Sequence, residues 1–169
     1  RNFNAINDPA RTKEYLDISQ NELQRLSLLV DKVLKLSMFE NKEVQLKYES
    51  VNVKNIIDEV TGSMKLQIEK QGAQCEVLTE GNDFTVAADK LHITSVVYNL
   101  VDNALKYSPV SPIIKLLLKD GGDRIVLSVA DNGIGIAPEY KDKVFDKFFR
   151  VPAGDTHNVK GYGLGLSYV

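Results

Sequence analysis

The sequence is poor in cysteine and histidine, and these shortages exclude several kinds of site. Cys75 is the only cysteine among 169 residues, which excludes an internal disulfide and a metal site built from several cysteines. His92 and His157 are the only histidines, so a histidine-rich metal centre is excluded too. No apolar run approaches the length of a transmembrane helix, and no signal peptide is visible.

A strong charge of one sign is also lacking. The net charge of -2 gives no electrostatic reason to bind nucleic acid or an anionic membrane. The length of 169 residues is enough for one sizeable domain with an appendage, and a hydrophobic content of 43% supports a real core. Because the chain begins at Arg1 rather than Met, we expect a piece of a longer protein, whose other segments decide any membrane attachment.

A long helix is predicted for the first part of the chain. Asp8 and Pro9 are typical of a helix start, and neither glycine nor proline follows before Phe39. Apolar residues near heptad spacing predict a helix roughly 45 Å long that packs in a bundle with its own chain or a second copy. The alternative is a helix that lies across its own domain. A polar stretch then predicts a boundary between two domains, residues 1–46 and 47–169.

After this boundary the pattern alternates helices with short strands. Helical periodicity runs from Val53 to Gly72 and again from Asp89 to about Tyr107. The predicted strands cover 74–79, 84–87, 113–119 and 124–130, a short helix covers 138–145, and a lid or binding loop covers 150–162. This order predicts an α+β fold, a two-layer α/β sandwich whose mixed, mostly antiparallel sheet has helices on one face.

An acidic residue ends the last predicted strand and precedes two glycines. The apolar run from Ile125 ends at Asp131, and Gly133 and Gly135 follow. A carboxylate beside backbone that a ligand can approach closely suits recognition of a flat, nitrogen-bearing molecule. Asn132-Gly133 is equally a hairpin signal, although the residues after it do not resume strand alternation.

Two further patterns indicate binding of a phosphorylated ligand. Asn99, Asn103 and Lys106 fall on one helical face, where amide oxygens suit Mg²⁺ and the lysine suits a phosphate. The alternative is an ordinary solvated face. Glycine at 161, 163 and 165 would expose backbone N–H groups at a helix start, an arrangement that binds phosphate. The spacing matches neither a P-loop nor the dinucleotide fingerprint.

In combination and order, these motifs resemble the sensor histidine kinases of two-component signalling, whose ATP-binding domain belongs to the gyrase/Hsp90/kinase/MutL superfamily. Residues 99–107 resemble the N box, 131–136 the first glycine box, 145–150 the F box and 161–166 the second glycine box. The resemblance covers roughly residues 47–169. It implies a Bergerat-type ATP-binding fold, preceded by the bundle-forming helix.

The resemblance also implies roles for individual residues. Asp131 would accept a hydrogen bond from the adenine amine, Asn103 would bind Mg²⁺ with Asn99 beside it, and Arg150 would close with the lid over the γ-phosphate. The implied catalytic residues are Asn99, Asn103, Lys106 and Arg150. The implied nucleotide-binding residues are Asn103, Lys106, Tyr107, Asp131, Gly133, Gly135, Ile136, Phe148, Lys160, Gly161, Tyr162, Gly163, Leu164, Gly165 and Leu166. Phe145 and Phe148 either anchor the lid or pack in the core.

One position favours phosphotransfer over hydrolysis. Hydrolytic relatives carry a glutamate four residues before the Mg²⁺-binding asparagine, whereas this chain has Asn99, whose amide cannot act as a general base. The resemblance therefore implies transfer of the ATP γ-phosphate to a histidine and then to a response-regulator aspartate. The alternatives are a non-catalytic nucleotide-binding or dimerisation module and a hydrolytic ATPase of the same superfamily.

The sequence departs from the family at both ends. The N-terminal helix resembles the second helix of the dimerisation and phosphoacceptor domain, but the helix with the accepting histidine is missing. We expect His92 to be structural and His157 to lie in the lid, so the acceptor would come from another polypeptide. The resemblance implies a homodimer through the N-terminal helix and a cytoplasmic location. Because the chain stops at Val169, we also expect an unpaired sheet edge.

Overall fold

The structure is a computed structural model that describes residues 11–13, 15–16, 18–19, 22–23, 45–108, 110–152 and 163–169. The chain divides into two units, residues 1–45 and 46–169. The described positions between 11 and 23 are α-helical, and the rest of the predicted long helix lies outside the described residues. Among the helices that are described, none combines the length and apolarity needed to cross a membrane.

The second unit alternates short strands with helices. In chain order, its elements are β1 (Glu49–Asn52), α1 (Val53–Ser63), α2 (Lys65–Lys70), β2 (Gln74–Glu80), β3 (Thr85–Ala88), α3 (Lys90–Lys106), β4 (Ile113–Asp120) and β5 (Ile125–Asp131). Single 3₁₀ turns follow at Pro138–Tyr140 and Leu166–Tyr168.

Its strands form two sheets. Strand β4 lies between β2, to which it is parallel, and β5, to which it is antiparallel. A separate antiparallel pair joins β1 and β3, with Val51 opposite Val86. The predicted α+β class with a mixed sheet is therefore confirmed, and so is the hairpin between β4 and β5.

The core lies between the helices and one face of β4. Alternate residues of β4 point inward, and Ile114, Leu116 and Leu118 are completely buried. Helix α3 contributes Val97 and Val101 at a spacing of one turn, and both are completely buried as well. Because burying an aliphatic side chain of this size is worth about 1.5–3 kcal/mol, this layer holds α3 firmly against the sheet.

Asparagine and aspartate fix where the two long helices begin. Asn52 Oδ1 accepts from the N–H of Asn55 at 3.2 Å, and Asp89 Oδ1 accepts from the N–H of His92 at 3.2 Å. Asp89 Oδ2 also accepts from the N–H of Lys47 at 2.9 Å, and these backbone bonds lower the pKa of Asp89. The predicted extent of α3 is confirmed, since it covers Lys90–Lys106.

Three sequence-based expectations need correction. The predicted helix from Val53 to Gly72 breaks at Met64, whose backbone leaves α-helical geometry while its side chain is buried in the core. The predicted polar boundary ends in strand β1, because pairing with β3 and burial of Val51 override the polar composition around it. The predicted helix over 138–145 is a 3₁₀ turn at Pro138–Tyr140 followed by further turns.

Candidate functional site

The predicted metal-binding amides lie beside the second glycine motif. A Cβ placed on Gly165 would lie 3.4 Å from Nδ2 of Asn103 and 3.5 Å from Oδ1 of Asn99. Both amides, one turn apart on α3, therefore face the backbone of Gly165. The two asparagines of α3 and a glycine far from them in the sequence thus lie side by side.

The first glycine motif packs against the C-terminal end of α3. The N–H of Ile134 donates to the carbonyl oxygen of Tyr107 at 3.0 Å, and the N–H of Gly133 donates to Oδ1 of Asp131 at 2.8 Å. A Cβ on Gly133 would lie 2.5 Å from the Tyr107 carbonyl oxygen and 2.8 Å from Oγ of Ser108. Glycine is therefore required here by close packing, and Asp131 is held in place at the exposed end of β5.

Asn132 has a structural role that the sequence reasoning missed. Its Oδ1 accepts from the N–H of Ile113 at 2.8 Å, and its Nδ2 donates to the carbonyl oxygen of Ser111 at 3.3 Å. These bonds tie the segment after β5 to the start of β4. The hairpin alternative for Asn132-Gly133 is wrong, since no strand follows within residues 132–152.

The phenylalanine segment contacts the second glycine motif. The N–H of Phe148 donates to the carbonyl oxygen of Gly163 at 2.9 Å, and a Cβ on Gly163 would lie 2.6 Å from the Phe149 carbonyl oxygen. Gly163 has φ +69°, a conformation that glycine adopts without steric cost. The rings of Phe145 and Phe148 are 55% and 65% exposed, so the core-packing alternative for them is wrong.

Lys106 is engaged within its own helix. Its ammonium pairs with the carboxylate of Asp102, one turn earlier on α3. Asp102 also faces Tyr98, whose pKa is raised by burial and, to a smaller extent, by that carboxylate. The spacing of four residues between Asp102 and Lys106 is itself typical of an ion pair on a helix, and this signal predicts the Asp102 partner in addition to the phosphate expected for Lys106.

The remaining predicted site residues divide into three groups. Ile136 and Arg150 are exposed, and Gly135 has φ +69° with open space where a Cβ would be. Leu164 and Leu166 are half-buried next to Gly165. Lys160, Gly161 and Tyr162, like His157, lie outside the described residues.

The donor atoms at Asn99 and Asn103 suit Mg²⁺. Neutral amide oxygens are hard ligands, and Mg²⁺ typically takes few protein ligands because phosphates and waters complete its shell. No side chain stands between these amides and the Gly165 backbone, which packs directly against them. In the described part of the chain, no three His, Cys, Asp or Glu side chains cluster where they could hold a metal ion.

Comparison with known proteins places this domain in a family. Residues 88–169 match the family described as histidine kinase-, DNA gyrase B-, and HSP90-like ATPase. Sensor protein RprX of Bacteroides fragilis is 38% identical over 154 residues, which cover 90% of this chain and 30% of RprX. The chain therefore spans less than a third of that relative.

Solved structures lead to the same family. The catalytic domain of histidine kinase ThkA is 31% identical, with a TM-score of 0.64 over 72% of this chain and 78% of that one. A structure of ThkA in complex with response regulator protein TrrA is 33% identical, with a TM-score of 0.67 over 85% of this chain and 42% of that one. The chain belongs to the histidine kinase-, DNA gyrase B- and HSP90-like ATPase family and has the fold of a histidine kinase catalytic domain.

Proposed function

We propose that this chain is the ATP-binding catalytic part of a sensor histidine kinase. In this proposal it transfers the γ-phosphate of ATP to a histidine, from which the phosphoryl group passes to a response-regulator aspartate. The observation that carries the proposal is the placement of two polar groups on α3. Asn99 and Asn103 face Gly165, and the end of the same helix supports Asp131 through Gly133 and Ile134.

Asp131 is proposed to recognise the adenine base. Its carboxylate is exposed, and Oδ1 is oriented by the N–H of Gly133 at 2.8 Å. A carboxylate accepts a hydrogen bond from the exocyclic amine of adenine and disfavours guanine, which has a carbonyl oxygen at that position. The open space beside Gly135 supports the proposal that the base passes close to this backbone.

Asn103 and Asn99 are proposed to hold Mg²⁺ near the phosphates. When bound, Mg²⁺ would neutralise charge on the terminal phosphates. Lys106, Arg150 and the second glycine motif are proposed to contact the phosphates, and Lys106 would have to exchange its Asp102 partner to do so. Because Asn99 cannot accept a proton from water, we propose that transfer to histidine is favoured over hydrolysis.

We propose that the acceptor histidine lies outside this chain. His92 is half-buried on α3 and engaged by Tyr168, which supports a structural role for it. Homodimerisation through the N-terminal helix is supported by the exposure of Tyr15, Leu16 and Leu23, which are each more than half exposed. A receiver domain as partner is supported by the ThkA–TrrA complex, and a cytoplasmic location is part of the same proposal.

The test is phosphotransfer in trans. The chain is mixed with labelled Mg-ATP and a polypeptide that carries the acceptor helix of a two-component kinase. We expect acid-labile, base-stable label on the acceptor, and none when its histidine is replaced by alanine. ATP binding without any label would refute the kinase proposal in favour of a nucleotide-binding module. Release of inorganic phosphate without label would indicate an ATPase instead.

A further inference from the structure

One face of α3 is polar along its whole length. Spacings of three, four and four residues place four polar side chains on the same side of the helix: His92, Ser95, Asn99 and Asn103. The segment 163–169 lies against this face in the opposite direction, with Gly165 beside the two asparagines and Tyr168 beside His92. Both halves of this face therefore contact the C-terminal segment, His92 through Tyr168 and the asparagines of the proposed phosphate site through Gly165.

Tyr168 is attached to α3 by several interactions. A hydrogen bond of 2.7 Å joins its phenol oxygen to Nδ1 of His92, and the two rings stack with centroids 5.9 Å apart and planes 17° apart. The buried hydroxyl of Ser95 hydrogen-bonds the same phenol. Burial raises the pKa of Tyr168, so the phenol keeps its proton at neutral pH.

The same segment is held a second time at Gly163. There the carbonyl oxygen accepts from the N–H of Phe148 at 2.9 Å. Between the two attachments, the hydroxyl of Ser167 donates to the carbonyl oxygen of Leu164 at 3.1 Å. The N–H of Tyr168 donates to the carbonyl oxygen of Gly165 at 3.3 Å. Because so few residues separate the attachments, they set the position of the Gly165 backbone relative to Asn99 and Asn103.

We propose that Tyr168, with His92 and Ser95, is a positioning group for nucleotide binding. This proposal rests on the proposed function, because it assumes that Gly165 and Asn103 bind the phosphate end of ATP. Without the phenol hydroxyl, the turn Leu166–Tyr168 loses its attachment to α3, and the glycine backbone samples positions away from the asparagines. Tyr168 touches neither the base nor the phosphates in this account, so its effect is on affinity.

The test uses Tyr168→Phe, which keeps the ring, and His92→Phe, which keeps a stacking surface but removes Nδ1. A net hydrogen bond is worth about 0.5–1.5 kcal/mol, so we expect ATP to bind about two- to tenfold more weakly to either variant. The KM for ATP in phosphotransfer should rise by the same factor while kcat stays within about twofold. The double variant should lose no more than Tyr168→Phe alone, because that variant already removes the bond to His92 along with the bond to Ser95. The control is Tyr48→Phe, which removes a phenol hydroxyl from a side chain that is 67% exposed and should leave ATP binding unchanged.

Hydrogen exchange in the nucleotide-free chain separates this proposal from the proposed function. Tyr168→Phe should speed exchange at residues 164–169 and leave β4 unchanged. If the wild type binds no ATP, the proposed function fails, while the exchange data still test the attachment. The positioning proposal is overturned if Tyr168→Phe lowers the unfolding midpoint but binds ATP as tightly as wild type, since Tyr168 would then be merely structural. Additive losses in the double variant, or unchanged exchange at residues 164–169, would also overturn it.

Discussion

Replacing Gly133 with alanine should damage both the fold and the nucleotide site. The new Cβ would lie 2.5 Å from the Tyr107 carbonyl oxygen, 2.7 Å from Oδ1 of Asp131 and 2.8 Å from Oγ of Ser108. Two of these oxygens belong to Tyr107 and Ser108, directly after α3, and the buried residues of α3 prevent this end from moving freely. The turn must therefore shift, which would stretch the bonds from Ile134 to Tyr107 and from Gly133 to Asp131. Overpacking of this kind costs about 1–3 kcal/mol.

Urea unfolding and titration with a fluorescent ATP analogue measure the two effects of Gly133→Ala. We expect a lower unfolding midpoint with an unchanged m-value, and weaker ATP binding because Asp131 is displaced. The matched control is Gly62→Ala in α1, where a Cβ meets nothing within 4 Å. That variant should be unchanged or up to about 1 kcal/mol more stable, because alanine favours the helix. If Gly133→Ala matched wild type in both stability and affinity, the packing described for this turn would be wrong.

Three further variants test the core packing, hydrogen bonds and helix cap that hold the elements around the proposed site. Leu116→Ala, at a completely buried position of β4, should lower the free energy of unfolding by about 2–5 kcal/mol in urea melts. Asn132→Ala removes two hydrogen bonds that are worth about 0.5–1.5 kcal/mol each. We therefore expect its urea midpoint of unfolding to fall less than the midpoint of Leu116→Ala. The pKa of Asp89 is lowered from 3.8, so its stabilising effect is full above pH 3.8 and is lost as pH falls through the lower folded pKa. We therefore expect Asp89→Asn to be less stable than wild type at pH 7. The difference between their free energies of unfolding should become smaller in melts below pH 3.8.

Local patterns predicted the elements that carry the site. Helix α3 was predicted because its apolar spacing, its aspartate cap and its lack of glycine all agree. The hairpin of β4 and β5 followed from two apolar runs around a glycine-rich turn. Strand β1 was not predicted, because one buried valine in a polar stretch gives no periodic signal. This segment forms a strand only through pairing with β3, which is distant in the sequence.

Contacts between distant residues were beyond sequence reasoning. The spacing of Asn99 and Asn103 indicated a shared face, but it did not reveal that Gly165 lies against it. Ser108 shows the same limitation: its hydroxyl is buried beside Gly133 and has no hydrogen-bond partner among the described residues. The contact between His92 and Tyr168 depends on how the C-terminal segment packs along α3, and neither residue is part of a recognisable motif.

In the proposed complex, one nucleotide spans from Asp131 to Asn103 and Gly165. Calorimetric titration with Mg-ATP and Mg-GTP tests it most directly, using wild type and Asp131→Asn. We expect saturable binding of ATP by wild type, much weaker binding of GTP, and loss of ATP binding in Asp131→Asn. Tight ATP binding by that variant, or equal affinity of wild type for the two nucleotides, would contradict it.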